Sequence, residues 1–396
     1  MTLMPVVEAQ ARLFTLAPAL PVESVPLGDA AGRWLAQDVA ALRNQPWADL
    51  SAMDGYAIRA GEWPGPWRVT ATSAAGGMLP PPLGAGEACR IFTGAPMPTG
   101  ADAVMLQEDS ERTADVVRGM QVGPTAGRHV RGAGSDFAIN APLIAKGAEL
   151  GAAQIALAAV AGPGALPVRR EVSVALLSSG SELVPPGAPV PAGRLPSSNA
   201  PMLAAVLKGL PCRIEDKGIA RDDLDATTAL FGACAGADII VSTGGASVGD
   251  HDLVRAAFER AGGTLDFWKI AMRPGKPLMA GRLGEALFLG LPGNPVSAFV
   301  TAQLFLLPLL RHMAGARAPL PPLRSAPLAV ALPEAGGREE YLRASRNADG
   351  VTAIRSQDSA GLYALSQADC LIRRAAGARA AQAGEMVEIL EIRGVI

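Results

Sequence analysis

Apolar positions along this chain change their spacing several times, and the changes divide it. Residues 5–16 carry apolar side chains at helical intervals, which predicts a first helix, and a proline-punctuated stretch follows to Trp34. Beyond Trp47 the rhythm shortens to apolar runs at 68–72, 88–92, 103–107 and 115–118, broken by Gly and Pro. That spacing predicts a small β-rich domain ending near Asp136. A return segment over 141–168 holds an Ala-rich helix. The stretch 47–136 therefore reads as an insertion in a discontinuous domain made of 1–46 and 137–170.

From Glu171 the pattern becomes alternating. It predicts a strand over 172–177, a helix over 199–210, a strand over 212–218, a helix over 223–234 and a strand over 238–242. A helix over 252–261, a strand near 265–270, a strand pair across 277–290 and a long helix from Asn294 complete the series. Such alternation predicts an α/β fold, a doubly wound sheet over 171–316 that binds ligands at the carboxyl ends of its strands. A proline-rich linker over 317–323 opens a C-terminal segment, 317–396, whose alternating apolar and polar positions suggest an all-β domain.

Composition narrows the chemistry. With 396 residues, several domains are expected, and with 4% aromatics the cores must be built from Ala, Val and Leu. Thirty-five Lys and Arg face 37 Asp and Glu, a formal charge of -2, so no global field gathers nucleic acid or anionic membrane. Any anion site must be local. Cys89, Cys212, Cys234 and Cys370 show no CxxC spacing and read as reduced core thiols, and three histidines make a Cys/His zinc site improbable. The N-terminus shows no signal-peptide pattern. The apolar stretches 155–168 and 296–310 are too interrupted to span a bilayer and are expected to be packed helices.

Three turns at neighbouring strand ends carry the chemistry. Ser242-Thr243-Gly244-Gly245-Ala246-Ser247-Val248-Gly249-Asp250-His251-Asp252 frees backbone N–H groups around an anion and offers carboxylates to a divalent cation. It equally matches an ordinary strand-to-helix turn with an Asp cap. Ser178-Ser179-Gly180-Ser181-Glu182 adds hydroxyls and an acid, and Leu291-Pro292-Gly293-Asn294-Pro295 is a stiff turn, suited to a shaped pocket or to a simple helix start. Lys269, Arg273 and Lys276 fall within eight residues on a proline-stiffened loop, able to grip an oxyanion or to be a solvated face.

These motifs, with Ser51-Ala52-Met53-Asp54-Gly55-Tyr56-Ala57 and Thr93-Gly94-Ala95-Pro96, resemble in their order the molybdopterin molybdenumtransferase family, related to the gephyrin E domain. The resemblance runs through Arg273-Pro274-Gly275-Lys276-Pro277 and essentially the whole chain. It implies a molybdopterin-binding doubly wound domain, an elongated discontinuous N-terminal domain and a cytoplasmic homodimer with an active site shared between subunits. It also implies a reaction in which adenylylated molybdopterin and molybdate give molybdenum cofactor and AMP, with Mg²⁺. Transient contacts with molybdopterin adenylyltransferase and apo-molybdoenzymes follow, without nucleic acid or membrane.

Carried over residue by residue, the family's acids fall on Asp54, Asp136, Glu182, Asp222 and Asp252, with Asp252 and Glu182 as the metal candidates and Asp54 and Asp136 reaching in from the partner. Substrate contacts fall on Thr93, Arg131, Ser179, Gly180, Gly244, Gly245, Ser247, Lys269, Arg273, Lys276, Pro292 and Pro295. Arg273 stands where Lys is common in the family, Ser135 where Glu is usual, and Ser198 where Asp or Thr is commoner. The related adenylyltransferases carry Thr-Gly-Gly-Thr-Gly at the loop and lack the insertion and tail, so length and the 242–249 loop favour molybdenum insertion. A scaffold role of the gephyrin kind lacks its long linker here.

Overall fold

In the computed structural model, which describes residues 3–245 and 253–392, the alternating region forms a six-stranded sheet. Its spatial order is Cys212–Ala220, Val172–Ser179, Ile239–Thr243, Ala286–Leu291, Met279–Leu283 and Thr264–Trp268. The first four strands are parallel; the last two run antiparallel to their neighbours. Parallel strands need both faces covered, and side chains alternate accordingly. Val174, Leu176, Val241 and Leu289 pack with the Asn199–Leu207 helix, whereas Ala175, Leu177, Ile240 and Phe288 pack with Phe231 and Phe258. The chain leaves Val172–Ser179 toward one edge and returns to Ile239–Thr243 on its other side, which makes the gap between those two carboxyl ends the topological switch point.

The helix from Pro295 continues through a π-helical turn at Ala302–Leu306 to Met313. It is long and apolar enough to cross a membrane, but 89% of that span is buried in the protein, so it is a core helix. The N-terminal helix, Val6–Leu16, packs Val6, Ala9 and Leu13 into the same core, and Gln10 Nε2 donates to Leu304 O at 2.8 Å.

Val22–Pro26 zips antiparallel to Ala165–Arg169, and Val39–Ala40 pairs with Pro142–Ile144, so two distant segments build one slender unit. At its end sits a six-stranded sheet in the order Ala103–Leu106, Gly55–Ile58, Glu87–Ile91, Trp67–Ser73, Val116–Gly119 and Ser110–Thr113. The C-terminal sheet is built on Glu339–Asn347, with a one-turn helix at Leu362–Ser366 added to the expected strands. Met272–Arg273 pairs in parallel with the start of that strand, so the central domain lends its own backbone to the C-terminal sheet. All four cysteines are free.

Asp238 ties the base of the central sheet. Its carboxylate takes two 2.6 Å bonds from Arg170, along with the N–H (2.8 Å) and hydroxyl (2.9 Å) of Ser173. Burial alone would raise its pKa, but these donors outweigh burial and hold it below the ordinary carboxylate value. A depressed folded pKa stabilises above the unfolded pKa and is lost as pH falls through the folded one. Asp238→Asn should therefore cost about 2 kcal/mol at neutral pH, and the gap from wild type should close below about pH 4. Urea midpoints at pH 7 and pH 3 check this; a gap that widens in acid contradicts it.

Candidate functional site

At the switch point the backbone itself leaves no room for a side chain. Gly244 has φ +93°, and a Cβ there would collide with the carbonyl oxygen of Ser179; Gly245 has φ +64°, and a Cβ there would strike Val254. Only glycine accepts both the left-handed backbone and the close approach. The resulting cavity, about 920 Å³, brings together Ser179, Gly180, Glu182, Asp222, Gly244, Gly245, Pro292 and Pro295 from four separate strand ends. Ser181 locks the acid in place: its N–H donates to Asp222 Oδ2 at 3.1 Å, and its hydroxyl accepts from the Asp222 N–H at 3.0 Å. Asp252 and Ser247 lie outside the described residues.

Arg273 and Lys276 line a second cavity of about 720 Å³, between the central and C-terminal domains. Its charged residues are five basic, Arg273, Lys276, Arg338, Arg355 and Arg374, against three acidic, Glu334, Glu340 and Asp358. The excess of positive charge suits an oxyanion. Strand pairing of Met272–Arg273 with Glu339 and Glu340 sets Arg273 there, 3.7 Å from Glu340. The two cavities meet at Pro277, and Asn294 Nδ2 donates to Ser359 Oγ at 3.0 Å across the domain boundary. Lys269 does not line either cavity; its backbone, at φ +80°, bonds Met4 and Leu278.

Asp54 and Thr93 meet each other on the inserted domain. The Thr93 N–H (2.7 Å) and hydroxyl (2.8 Å) both donate to Asp54 Oδ1. The backbone bond, then the hydroxyl, then the charge of Arg90 hold this exposed carboxyl below its usual range despite a small opposing effect of burial. Arg131, paired with Leu50, and Asp136 are exposed too, and none of these four lines the cavities of the central domain.

Family models match three consecutive parts of the chain: the MoeA N-terminal region (domain I and II) at 4–162, a probable molybdopterin binding domain at 175–312, and the MoeA C-terminal region (domain IV) at 325–392. Molybdopterin molybdenumtransferase 2 of Mycobacterium tuberculosis is 37% identical over 349 residues, 84% of this chain and 85% of that protein. The chain belongs to the molybdopterin molybdenumtransferase family. The molybdopterin molybdenumtransferase of Haemophilus influenzae is 33% identical over 93% of both chains. A crystal structure of the molybdopterin biosynthesis moeA protein from Pyrococcus horikoshii superposes with TM-score 0.85, at 29% identity, over 98% of this chain and 99% of that one. The family's members are transferases of molybdenum cofactor biosynthesis.

Against this molybdenumtransferase fold, two features escaped the sequence reading. Asn199 lines the first cavity, nine-tenths buried; its Nδ2 donates to Gly293 O at 2.8 Å, while its Oδ1 is buried without a partner. Arg343, 1% exposed, donates Nη1 to Gly361 O at 3.0 Å and leaves Nη2 unpartnered, while its backbone bonds the side chain of Gln357, which lines the second cavity. Neither stood in a glycine or proline motif. A polar side chain at the first turn of an otherwise apolar helix was the one signal for Asn199.

Thr93→Val removes the hydroxyl bond but keeps the N–H bond, so the Asp54 pKa should rise toward, without reaching, its ordinary value. A carboxyl-carbon NMR titration reads this, with wild type staying ionised to lower pH. An unshifted titration would show that the hydroxyl does not stabilise the carboxylate.

Proposed function

We propose that this transferase inserts molybdenum from molybdate into adenylylated molybdopterin, releasing AMP and forming molybdenum cofactor. The carrying observation is the pairing of two cavities: a glycine-lined cradle with acids at its rim, opening at Pro277 toward a pocket with five basic side chains. Phosphate suits the first, where glycine permits backbone groups to approach closely. A compact dianion suits the second, where Lys276 acts as a point charge and arginine grips two oxygens. The substrate's dithiolene supplies sulfur to the metal, so no protein thiol is needed, in keeping with four cysteines placed away from both cavities.

Glu182 and Asp222 supply oxygen donors at the cradle, a set that fits Mg²⁺, which characteristically keeps waters and completes its shell with phosphate oxygens. Asp252, the other metal candidate, lies outside the described residues. When bound, the ion would offset phosphate charge. Asp54, Thr93, Arg131 and Asp136, on exposed parts of the inserted domain and its neck, are assigned to the neighbouring subunit's site in a homodimer. The reading places the enzyme in the cytoplasm, receiving substrate from molybdopterin adenylyltransferase and passing product to apo-molybdoenzymes.

The test is molybdate-dependent AMP release from adenylylated molybdopterin with Mg²⁺, followed by reconstitution of an apo-molybdoenzyme. Lys276→Ala should raise the molybdate concentration needed for half-maximal release by about tenfold and change AMP affinity much less. Equal loss for both ligands would mean that Lys276 contributes only a general field. No release from wild type would end the proposal.

A further inference from the structure

A carboxylate that serves a neighbouring subunit stands on its own domain's surface, so the strands that carry it must set its direction in advance. Asp54 is such a group, exposed at the start of Gly55–Ile58. That strand lies between Glu87–Ile91 and Ala103–Leu106, with Tyr56 opposite Arg90 on one side and Gly55 opposite Leu106 on the other. Arg90 and Phe92, two residues apart, share a face of the sheet with Tyr56. The Arg90 guanidinium lies over both rings, 5.2 Å from the centre of buried Tyr56 and 4.7 Å from that of exposed Phe92. These contacts fix where the cation can sit.

The planar fork of Arg90 then reaches two ways. Nη1 donates to Gly55 O at 2.7 Å, while Nη2 donates to Gln107 Oε1. Gln107 in turn donates its backbone N–H to Asp54 O at 3.2 Å. Successive carbonyls, of Asp54 and of Gly55, are therefore held by one connected bridge from Arg90 to Gln107. The side chain is held separately: Thr93 gives both its bonds to Oδ1, and among the described residues Oδ2 takes none. Arg90 also favours the ionised carboxyl by its charge, although its fork is committed to Gly55 and Gln107. The turn is braced, and one carboxylate oxygen stays open.

We propose that Arg90 is a positioning residue for Asp54, bracing its turn so that Oδ2 is presented to the neighbouring subunit's site. The inference rests on the function proposed above, in which Asp54 serves that site. Arg90→Gln removes both charge and fork, whereas Arg90→Lys keeps a point charge that cannot span Gly55 and Gln107 in one plane. AMP release and a carboxyl-carbon NMR titration of Asp54, both on the full chain, read the two effects. Both Arg90 variants should lower kcat about tenfold with the half-saturating molybdate concentration unchanged, since Arg90 lines neither the cradle nor the basic cavity. Only Arg90→Gln should let Asp54 titrate at higher pH. Gln107→Ala, at an exposed residue, breaks the same bridge from its other end and should lower kcat in the same direction with less risk to folding. Wild-type kcat in Arg90→Lys or Gln107→Ala, or a molybdate requirement raised along with the loss of kcat, would overturn the positioning role. Asp54→Asn separates this inference from its premise. Loss of turnover in Asp54→Asn but not in Arg90→Lys sinks the positioning role alone. No release from wild type, with Asp54 in Arg90→Gln still titrating higher, sinks the reaction and keeps the hold of Arg90 on Asp54.

Discussion

The constraint on which this structure depends is the contact between the Gly244 backbone and the Ser179 carbonyl. Two parallel strands diverge at the switch point, and any ligand held there must be approached by backbone. A side chain at Gly244 would drive the strand ends apart and close the cavity to which Glu182, Asp222 and Pro292 also contribute. The apolar sheet beneath, with Leu177, Ile240 and Phe288 fully packed, makes that spacing rigid. Packing and chemistry are linked through one glycine.

Charge is divided between two neighbouring cavities. The cradle offers acids and backbone, whereas the cations face it from the seam with the C-terminal sheet, anchored there by the Met272–Arg273 strand pairing and the Asn294–Ser359 bond. Separating them keeps the acids at the cradle's rim apart from the five basic side chains of the second cavity. The C-terminal domain contributes Arg338, Arg355 and Arg374 to the same cavity that Lys276 lines.

The alternation after Glu171 was legible because doubly buried strands leave continuous apolar runs, and Val172–Ser179 and Ile239–Thr243 fell close to where the pattern put them. The glycine and proline turns were legible for a local reason: each encodes its own backbone geometry. What the sequence could not show is long-range. The Val6–Leu16 helix was readable as a helix, but its seat against the Pro295–Met313 helix was not. Lys269 and Lys276 are seven residues apart, and only the long-range backbone bonds of Lys269 to Met4 and Leu278 set it apart from the cavity that Lys276 lines. Asn199 and Arg343 acquire meaning only when burial strips them of water and leaves Oδ1 and Nη2 unpartnered.

The central claim is that the glycine-lined strand ends hold the substrate's phosphate. A crystal structure of the full chain with AMP measures this directly. The account predicts the phosphorus against the backbone of Gly180, Gly244 and Gly245, within reach of Glu182 and Asp222. Phosphate found instead among Arg273, Lys276 and Arg355, with the cradle left to solvent, would contradict it.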